Sequence, residues 1–215
     1  VWLEADGAAH TAEVFLNGEK LARHEGGFSR FRVNLTEFLR EENELAITVD
    51  NSDNDTVYPQ KADFTFYGGL YRDVKILVVP KTHFALGYRG APGLKVTPEV
   101  DLEKKTARVT AEAWVEGAAD AVEFTVAGQT KRAPVENGRA QAVFTLENVH
   151  LWDGLDDPYL YEASAALESG DAVRTRFGCR VFEIDPQKGF FLNGRSYPLR
   201  GVSRHQDCKG AGSAL

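Results

Sequence analysis

The sequence has no methionine among its 215 residues, not even at the first position. It opens on Val1-Trp2-Leu3, which is strand-like and lacks the basic region and long apolar core of a secretory signal peptide. We therefore expect an incomplete piece of a longer protein, beginning inside a strand.

Cysteines and long apolar runs are also scarce. Cys179 and Cys208 are too few to form a disulfide framework, so one is expected in the core and the other as a surface or loop thiol. No apolar run approaches the ~20 residues of a membrane span, so no membrane partner is predicted. A reducing compartment fits both features, and we expect a cytoplasmic location.

Positive charge is in deficit, with 25 Lys and Arg against 32 Asp and Glu, a net charge of −7 and a pI near 5.3. Such a balance argues against nucleic acid as a partner. No zinc-ligand spacing, phosphate loop, Ser-His-Asp signature or redox CxxC is present. Four scattered histidines are expected at the surface: His10, His24, His83 and His150.

What the sequence does contain is short alternating strands separated by turns. Asn-Gly between apolar runs is the strongest short hairpin signal, because both turn residues need positive φ. It occurs at Asn17-Gly18, Asn137-Gly138 and Asn193-Gly194. Thr36–Leu39 is predicted to form one helical turn capped by Thr36. The segment His83–Gly93 contains three glycines and a proline and is predicted to be a linker. Strand signals every 8–12 residues after it predict an immunoglobulin-like sandwich, and the whole chain is predicted to be all-β.

The stretch 189–207, GFFLNGRSYPLRGVSRHQD, follows that pattern with a polar ending. Leu199–Val202 is predicted to be a strand entering a core, and five polar or charged residues follow it. A buried strand that ends in such residues is typical of the first strand of an active-site barrel.

This stretch closely resembles the start of the catalytic barrel in family 2 glycoside hydrolases, which include β-galactosidases and β-glucuronidases. AEVFLNGEKLARHEGGFSRFRVNLTEFL and DFTFYGGLYRDVKILVVPKTHF resemble the family's jelly-roll domain. LWDGLDDPYLYEA and FGCRVFEID resemble its sandwich domain. The resemblance implies part of a jelly-roll sugar-binding domain at 1–82, an immunoglobulin-like sandwich at 83–185, and the first strand of a TIM barrel within 186–215.

The resemblance also implies a retaining hydrolase that cleaves terminal β-D-galactosides. Such enzymes use two carboxylates about 5 Å apart. In the family both are glutamates on later barrel strands, and a barrel needs about 250 residues, so no catalytic residue is assigned to this chain. The chain alone is expected to be inactive.

Two residues match sugar contacts of the family. Asp63 would bind the C6 end of the sugar, in some members together with a sodium ion, although a turn aspartate that caps its own backbone is the commoner case. His205 would bond a sugar hydroxyl in the transition state, against the alternative of a solvated histidine. Arg204 and Asp207 are predicted to support the site, or to form a structural charge pair.

No cofactor beyond that sodium is expected. The predicted partner is a β-galactoside or another small saccharide, and the parent protein is expected to be a homo-oligomer. The alternative is a non-catalytic carbohydrate-binding module made of two β-domains, although such a module has no use for LRGVSRHQD.

Overall fold

The computed structural model describes residues 1–57, 65–88, 90–204 and 208–212. The chain divides into two compact units, the first unit (Val1–Val79 with Ser203–Leu215) and the second unit (Pro80–Val202). Their regular structure is β-strand throughout, apart from one 3-10 turn, so the predicted all-β fold is confirmed. No helix in the described part of the chain has the length and apolar character that crossing a membrane requires. The predicted boundaries at residues 82 and 185 stay predictions.

Eight strands of the first unit form three small antiparallel sheets, ordered β5-β1-β8, β4-β3-β6 and β2-β7. The strands are β1 (Trp2–Ala5), β2 (Ala8–Ala9), β3 (Thr11–Leu16), β4 (Glu19–Glu25), β5 (Phe31–Asn34), β6 (Leu45–Asp50), β7 (Gly69–Leu70) and β8 (Val74–Leu77).

The core of the first unit lies between its two three-stranded sheets. Leu3 and Phe31 enter it from one sheet, and Val14 and Leu16 from the other. Strand β3 alternates in burial because successive side chains of a strand point to opposite faces, so its even-numbered residues face the core.

The second unit begins with eight strands, which form two antiparallel sheets, ordered β10-β11-β14 with β9 beside β11, and β13-β12-β15-β16. The strands are β9 (His83–Phe84), β10 (Leu94–Asp101), β11 (Thr106–Glu116), β12 (Ala121–Val126), β13 (Gln129–Pro134), β14 (Arg139–Leu146), β15 (Tyr161–Ala166) and β16 (Ala172–Phe177). Phe84, Phe124 and Phe144 lie fully buried in one shared core. The predicted sandwich is confirmed.

All three Asn-Gly hairpins are confirmed. The asparagines have φ of 55°, 51° and 51°, and the glycines that follow have φ of 83°, 72° and 79°. In each, the residues before and after the pair are partners across the turn, as in Leu16 with Glu19 and Leu192 with Arg195. Positive φ at both central residues is the requirement that the sequence signal rests on.

Two local predictions were wrong. The 3-10 turn Thr36–Phe38 forms, but its cap is Leu35, and the amide of Thr36 donates to Oδ1 of Asn34 instead. His83 and Phe84 were assigned to a linker, yet they form β9 opposite Val115 and Glu116 of β11. The three glycines downstream suggested a linker, but Phe84 contributes a ring to the core and is 2% exposed.

The end of the second unit carries the three-stranded sheet of β17 (Phe182–Asp185), β18 (Gly189–Leu192) and β19 (Arg195–Ser196). The strand predicted at Leu199–Val202 is absent, and Leu199 and Val202 are 71% and 93% exposed. A parallel barrel strand is stabilised by neighbours on both sides, and these residues pair with no other strand among those described. The barrel stays a prediction.

Candidate functional site

Three of the four predicted site residues, Asp63, His205 and Asp207, lie outside the described residues. Arg204 is described and is exposed. Within the described ranges no carboxylate forms an ion pair with it. The sugar-contact and supporting roles of all four residues therefore stay predictions. The described part of the site consists of the segments that flank them.

The segment that follows Asp63 is held by a side chain from the end of β6. Nδ2 of Asn51 donates to the carbonyl oxygen of Phe66 at 3.1 Å. A Cβ added at Gly68 would lie 2.7 Å from Cγ of Asn51, so a larger residue would have to displace the Asn51 side chain and its hydrogen bond to Phe66. Gly69 then turns with φ of 99° to start β7. The two glycines of the sequence motif therefore have different roles, since Gly68 leaves room for Asn51 and Gly69 adopts positive φ.

His10 is a feature of this region that the sequence did not reveal. We expected a surface residue, but His10 is 7% exposed, as is His83. His10 Nδ1 has no hydrogen-bond partner among the described groups, and its ring meets the edge of Phe66 at 6.1 Å between centroids. Its backbone bonds to Asp50 and Gly26, which fix its place.

The two predicted sugar-contact segments meet within the first unit. A Cβ added at Gly212 would lie 3.1 Å from Cδ1 of Tyr67, so the loop after His205 lies against the ring that follows Asp63. That loop is closed by hydrogen bonds of 3.0 Å in both directions between Cys208 and Gly212. The sequence placed these segments about 140 residues apart, and the fold brings their described ends into contact.

Charge pairs fix the sheet on the other side of the core. Glu4 and Arg32, each with a side chain 7% exposed, face each other across β1 and β5 at 2.7 Å. Asp6 bonds Lys75 and Arg30, and the hydrogen bond from Lys75, followed by that from Arg30, lowers the pKa of Asp6. These pairs hold β1, β5 and β8 in register.

The neighbouring Arg72 and Asp73 also have structural roles. Nη1 of Arg72 donates to the carbonyl oxygen of Phe28 at 3.0 Å, and the carbonyl oxygen of Asp73 accepts from the amide of Asp6 at 2.9 Å. The guanidinium also lies over the ring of Tyr71, 5.1 Å from its centroid. These residues support the loops beside the candidate site.

The described part of the site offers aromatic surface and backbone groups. Tyr67 is 38% exposed, and an aromatic face with a polar hydroxyl suits the apolar face of a sugar ring. No group of three or more potential metal ligands occurs among the residues that the structure describes. The predicted sodium ligand Asp63 is not one of them, so the sodium site stays a prediction.

Two models of one protein family match the chain. "Glycosyl hydrolase 2 galactose-binding domain-like" matches residues 1–97, and "Glycosyl hydrolases family 2" matches residues 92–180. Each match covers one of the two β-sandwiches described above.

Relatives of known structure and name cover the whole chain. It is 31% identical to a β-glucuronidase of Bacteroides fragilis, covering 100% of this chain and 34% of that protein. It is 27% identical to a β-galactosidase of Thermoanaerobacterium thermosulfurigenes, covering 100% and 32%. Its fold matches the crystal structure of an FMN-binding β-glucuronidase from Facaelibacterium prausnitzii L2-6 with a TM-score of 0.88 and 37% identity, covering 100% and 35%. The chain therefore spans about a third of the length of these relatives.

Proposed function

Because this chain belongs to glycoside hydrolase family 2, we propose that it is part of a retaining hydrolase that cleaves terminal β-D-galactosides. Its own contribution is a β-scaffold and contacts to the sugar. The observation that carries this proposal is the contact between Tyr67 and Gly212, since it joins the segments that flank Asp63 and His205. Two segments with matching sugar-contact residues are expected to act on one ligand only if they meet.

Each residue has a separate task in this proposal. The carboxylate of Asp63 accepts hydrogen bonds from hydroxyls at the C6 end of the sugar, and Tyr67 covers the apolar face of the ring. The imidazole of His205 bonds a hydroxyl whose interaction tightens as the oxocarbenium-like transition state forms. Arg204 and Asp207 orient that imidazole. The nucleophile and the general acid/base belong to the remaining length of the longer protein.

A β-D-glucuronide is the second candidate substrate. It is favoured by the named relatives, because the B. fragilis protein and the protein of the 0.88 TM-score structure are both β-glucuronidases. The two sugars differ in the configuration at C4 and at C6, which is a hydroxymethyl group in the galactoside and a carboxylate in the glucuronide. A carboxylate beside the carboxylate of Asp63 would be repelled unless a cation lay between them.

Location and assembly are part of the same proposal. The exposed thiol of Cys208 suits a reducing cytoplasm, in which free thiols persist. The longer protein is proposed to be a homo-oligomer that takes a small saccharide as its substrate.

The experiment measures hydrolysis of chromogenic β-D-galactoside and β-D-glucuronide by the longer protein and its variants. Asp63→Asn and His205→Ala should each lower kcat/KM on the preferred sugar about 100-fold, which is a loss of about 2.7 kcal/mol in transition-state stabilisation. Two exposed residues provide matched controls, Asp73→Asn and His150→Ala, and these should leave kcat/KM within about twofold.

Other outcomes would redirect the proposal. Full activity in both site variants would remove Asp63 and His205 from the sugar site. Hydrolysis of the glucuronide alone would select the second substrate. Saccharide binding by a longer protein that hydrolyses neither sugar would favour the non-catalytic binding module.

A further inference from the structure

The second unit carries an open cleft on the outer face of the sheet β13-β12-β15-β16. Its volume is about 570 Å³, within the range of roughly 300–1,000 Å³ that is usual for small-molecule sites. Thr125, Glu162, Ser164, Arg174 and Arg176 line it. Nothing in the proposed hydrolysis uses these residues.

Strand register explains why these side chains share one face. Thr125 of β12 faces Ser164 of β15, and Ser164 faces Arg174 of β16, so hydroxyl, hydroxyl and guanidinium form one row across the sheet. Glu162 faces Arg176 in the next row. Side chains two residues apart on a strand point the same way, so both rows open to the same side.

A turn closes one end of the cleft. Ala127 and Gly128 have φ of 48° and 81° and connect β12 to β13 in a two-residue hairpin. The amide of Ala127 donates to the carbonyl oxygen of Glu162 at 3.0 Å, which fixes the turn against β15. At its base Oγ1 of Thr125 lies 3.1 Å from Oγ1 of Thr130. The wall and its hydroxyl groups are therefore held by the sheet itself.

The two arginines of the cleft are exposed, and among the described residues neither has an acidic group within ion-pair distance. Elsewhere on this sheet Arg132 is paired with Glu168. Guanidinium groups two residues apart on an edge strand present ten N–H donors to one side, suited to planar oxyanions such as carboxylates.

The carboxylate of Glu162 indicates whether the cleft suits a small inorganic anion or a larger ligand. It repels a small inorganic anion held by Arg176, but it accepts hydrogen bonds from the hydroxyls of a saccharide. The hydroxyls of Thr125 and Ser164 both donate and accept, which also suits saccharide hydroxyls. We propose that this cleft binds a carboxylate-bearing saccharide, with Arg174 and Arg176 on its carboxylate and Glu162 on its hydroxyls.

The test titrates the 215-residue chain with β-1,4-linked triglucuronic acid, and with cellotriose as the neutral counterpart that differs only at C6. Calorimetry should give a millimolar or tighter Kd for the acidic trisaccharide and at least tenfold weaker binding of cellotriose. Arg174→Ala/Arg176→Ala should weaken binding of the acidic probe at least tenfold. Arg132 is the matched exposed arginine of the same sheet, and Arg132→Ala should change the Kd for the acidic probe by less than twofold.

Two further variants keep the test decisive. Arg174→Gln and Arg176→Gln preserve length and polarity, so weakened binding at an unchanged Tm assigns the loss to the charge. Glu162→Gln should weaken binding of the acidic trisaccharide but strengthen binding of inorganic sulfate. Equal binding of both trisaccharides, no binding, or unchanged binding in the double alanine variant would overturn the proposal, as would a Glu162→Gln chain that binds the trisaccharide more tightly. None of these outcomes depends on whether the longer protein hydrolyses a glycoside.

Discussion

The sandwich strands β9–β16 of the second unit and the edge strand β8 of the first unit bury their apolar residues to very different degrees. The exposed apolar residues of the second unit, such as Phe182 and Ile184, lie outside that sandwich. In the second unit Phe84, Phe124 and Phe144 are at most 2% exposed, and both sheets contribute to one core. In the first unit Ile76 of β8 is 52% exposed and Val78 just after it is 79% exposed. The second unit thus closes its own sandwich, while the first leaves apolar side chains along its edge.

This difference indicates that the two units have different roles. A closed core supplies stability within its own residues, because each fully buried large apolar side chain contributes about 1.5–3 kcal/mol. The first unit carries the predicted sugar contacts Asp63 and His205, and binding residues in general lie more often on loops than on strands. Four measurements test whether the two units are stabilised in these different ways.

The largest effect is expected in the closed core. Phe144→Ala should cost the second unit about 3–5 kcal/mol of unfolding free energy, because it removes a ring that is 0% exposed and leaves a cavity. Urea unfolding followed by the fluorescence of Trp114 and Trp152 measures the loss, while Trp2 reports the first unit. Ile184→Ala is the control, since its side chain is 72% exposed. Equal losses in the two variants would contradict a tightly packed core.

The first unit should depend more on a buried ion pair than on apolar packing. Arg32→Met should cost about 3 kcal/mol, because it leaves the buried carboxylate of Glu4 with only the half-exposed guanidinium of Arg30, 3.8 Å away. Changing both residues, as Glu4→Gln/Arg32→Met, should restore most of the loss. Arg23→Met removes a half-exposed pair on the same unit and should change stability little. If the double variant is as unstable as Arg32→Met, the charge is not the cause.

Acid should lower the stability of the first unit through protonation of Asp6. Its pKa is lowered in the folded chain by Lys75 and then Arg30, so its stabilisation is present above its ordinary pKa of 3.8 and is lost as pH falls below that value. Asp6→Asn should therefore be less stable than the parent chain at about pH 6, and this difference should shrink as the pH is lowered below 3.8. Asp153→Asn makes the same comparison in the second unit, where Arg195 lowers the pKa of Asp153. A difference that persists at low pH would refute this origin.

The smallest perturbation is chemical labelling of thiols. Cys179 is 0% exposed and burial raises its pKa to about 11, whereas Cys208 is exposed. A disulfide reagent at neutral pH should modify Cys208 quickly and Cys179 only as the second unit unfolds. In a Cys208→Ser chain only Cys179 can be labelled, so its slow rate is measured directly. Rapid labelling of that chain would mean that the second unit opens readily.

Much of the fold could be predicted because its signals are local. Positive φ at Asn17, Asn137 and Asn193 follows from the turn type that Asn-Gly favours, and the alternating burial at residues 121–126 follows from strand geometry. The predictions that failed depend on tertiary contacts. His83 and Phe84 become a strand only because β11 lies beside them, and Leu199–Val202 lacks such a neighbour among the described strands.

The candidate site was predictable only through its motif. The sequence pointed to the glycines after Asp63, and in the structure a Cβ at Gly68 would lie 2.7 Å from Cγ of Asn51. The Asn51 side chain would have to shift to admit that Cβ. The sequence gave no indication that His10 would be buried against Phe66, because burial of a lone histidine depends on which segments pack around it. The contact between Tyr67 and Gly212 is likewise a product of the fold.

We propose that this chain supplies scaffold and sugar contacts, and that the rest of a longer hydrolase supplies the reacting carboxylates. Hydrolysis of chromogenic β-D-galactoside and β-D-glucuronide should be assayed in parallel with the pure 215-residue chain and with the longer protein. Turnover is expected from the longer protein alone. Turnover by the 215-residue chain would refute the proposal, because a retaining mechanism needs two carboxylates and the pair would then have to lie within this chain.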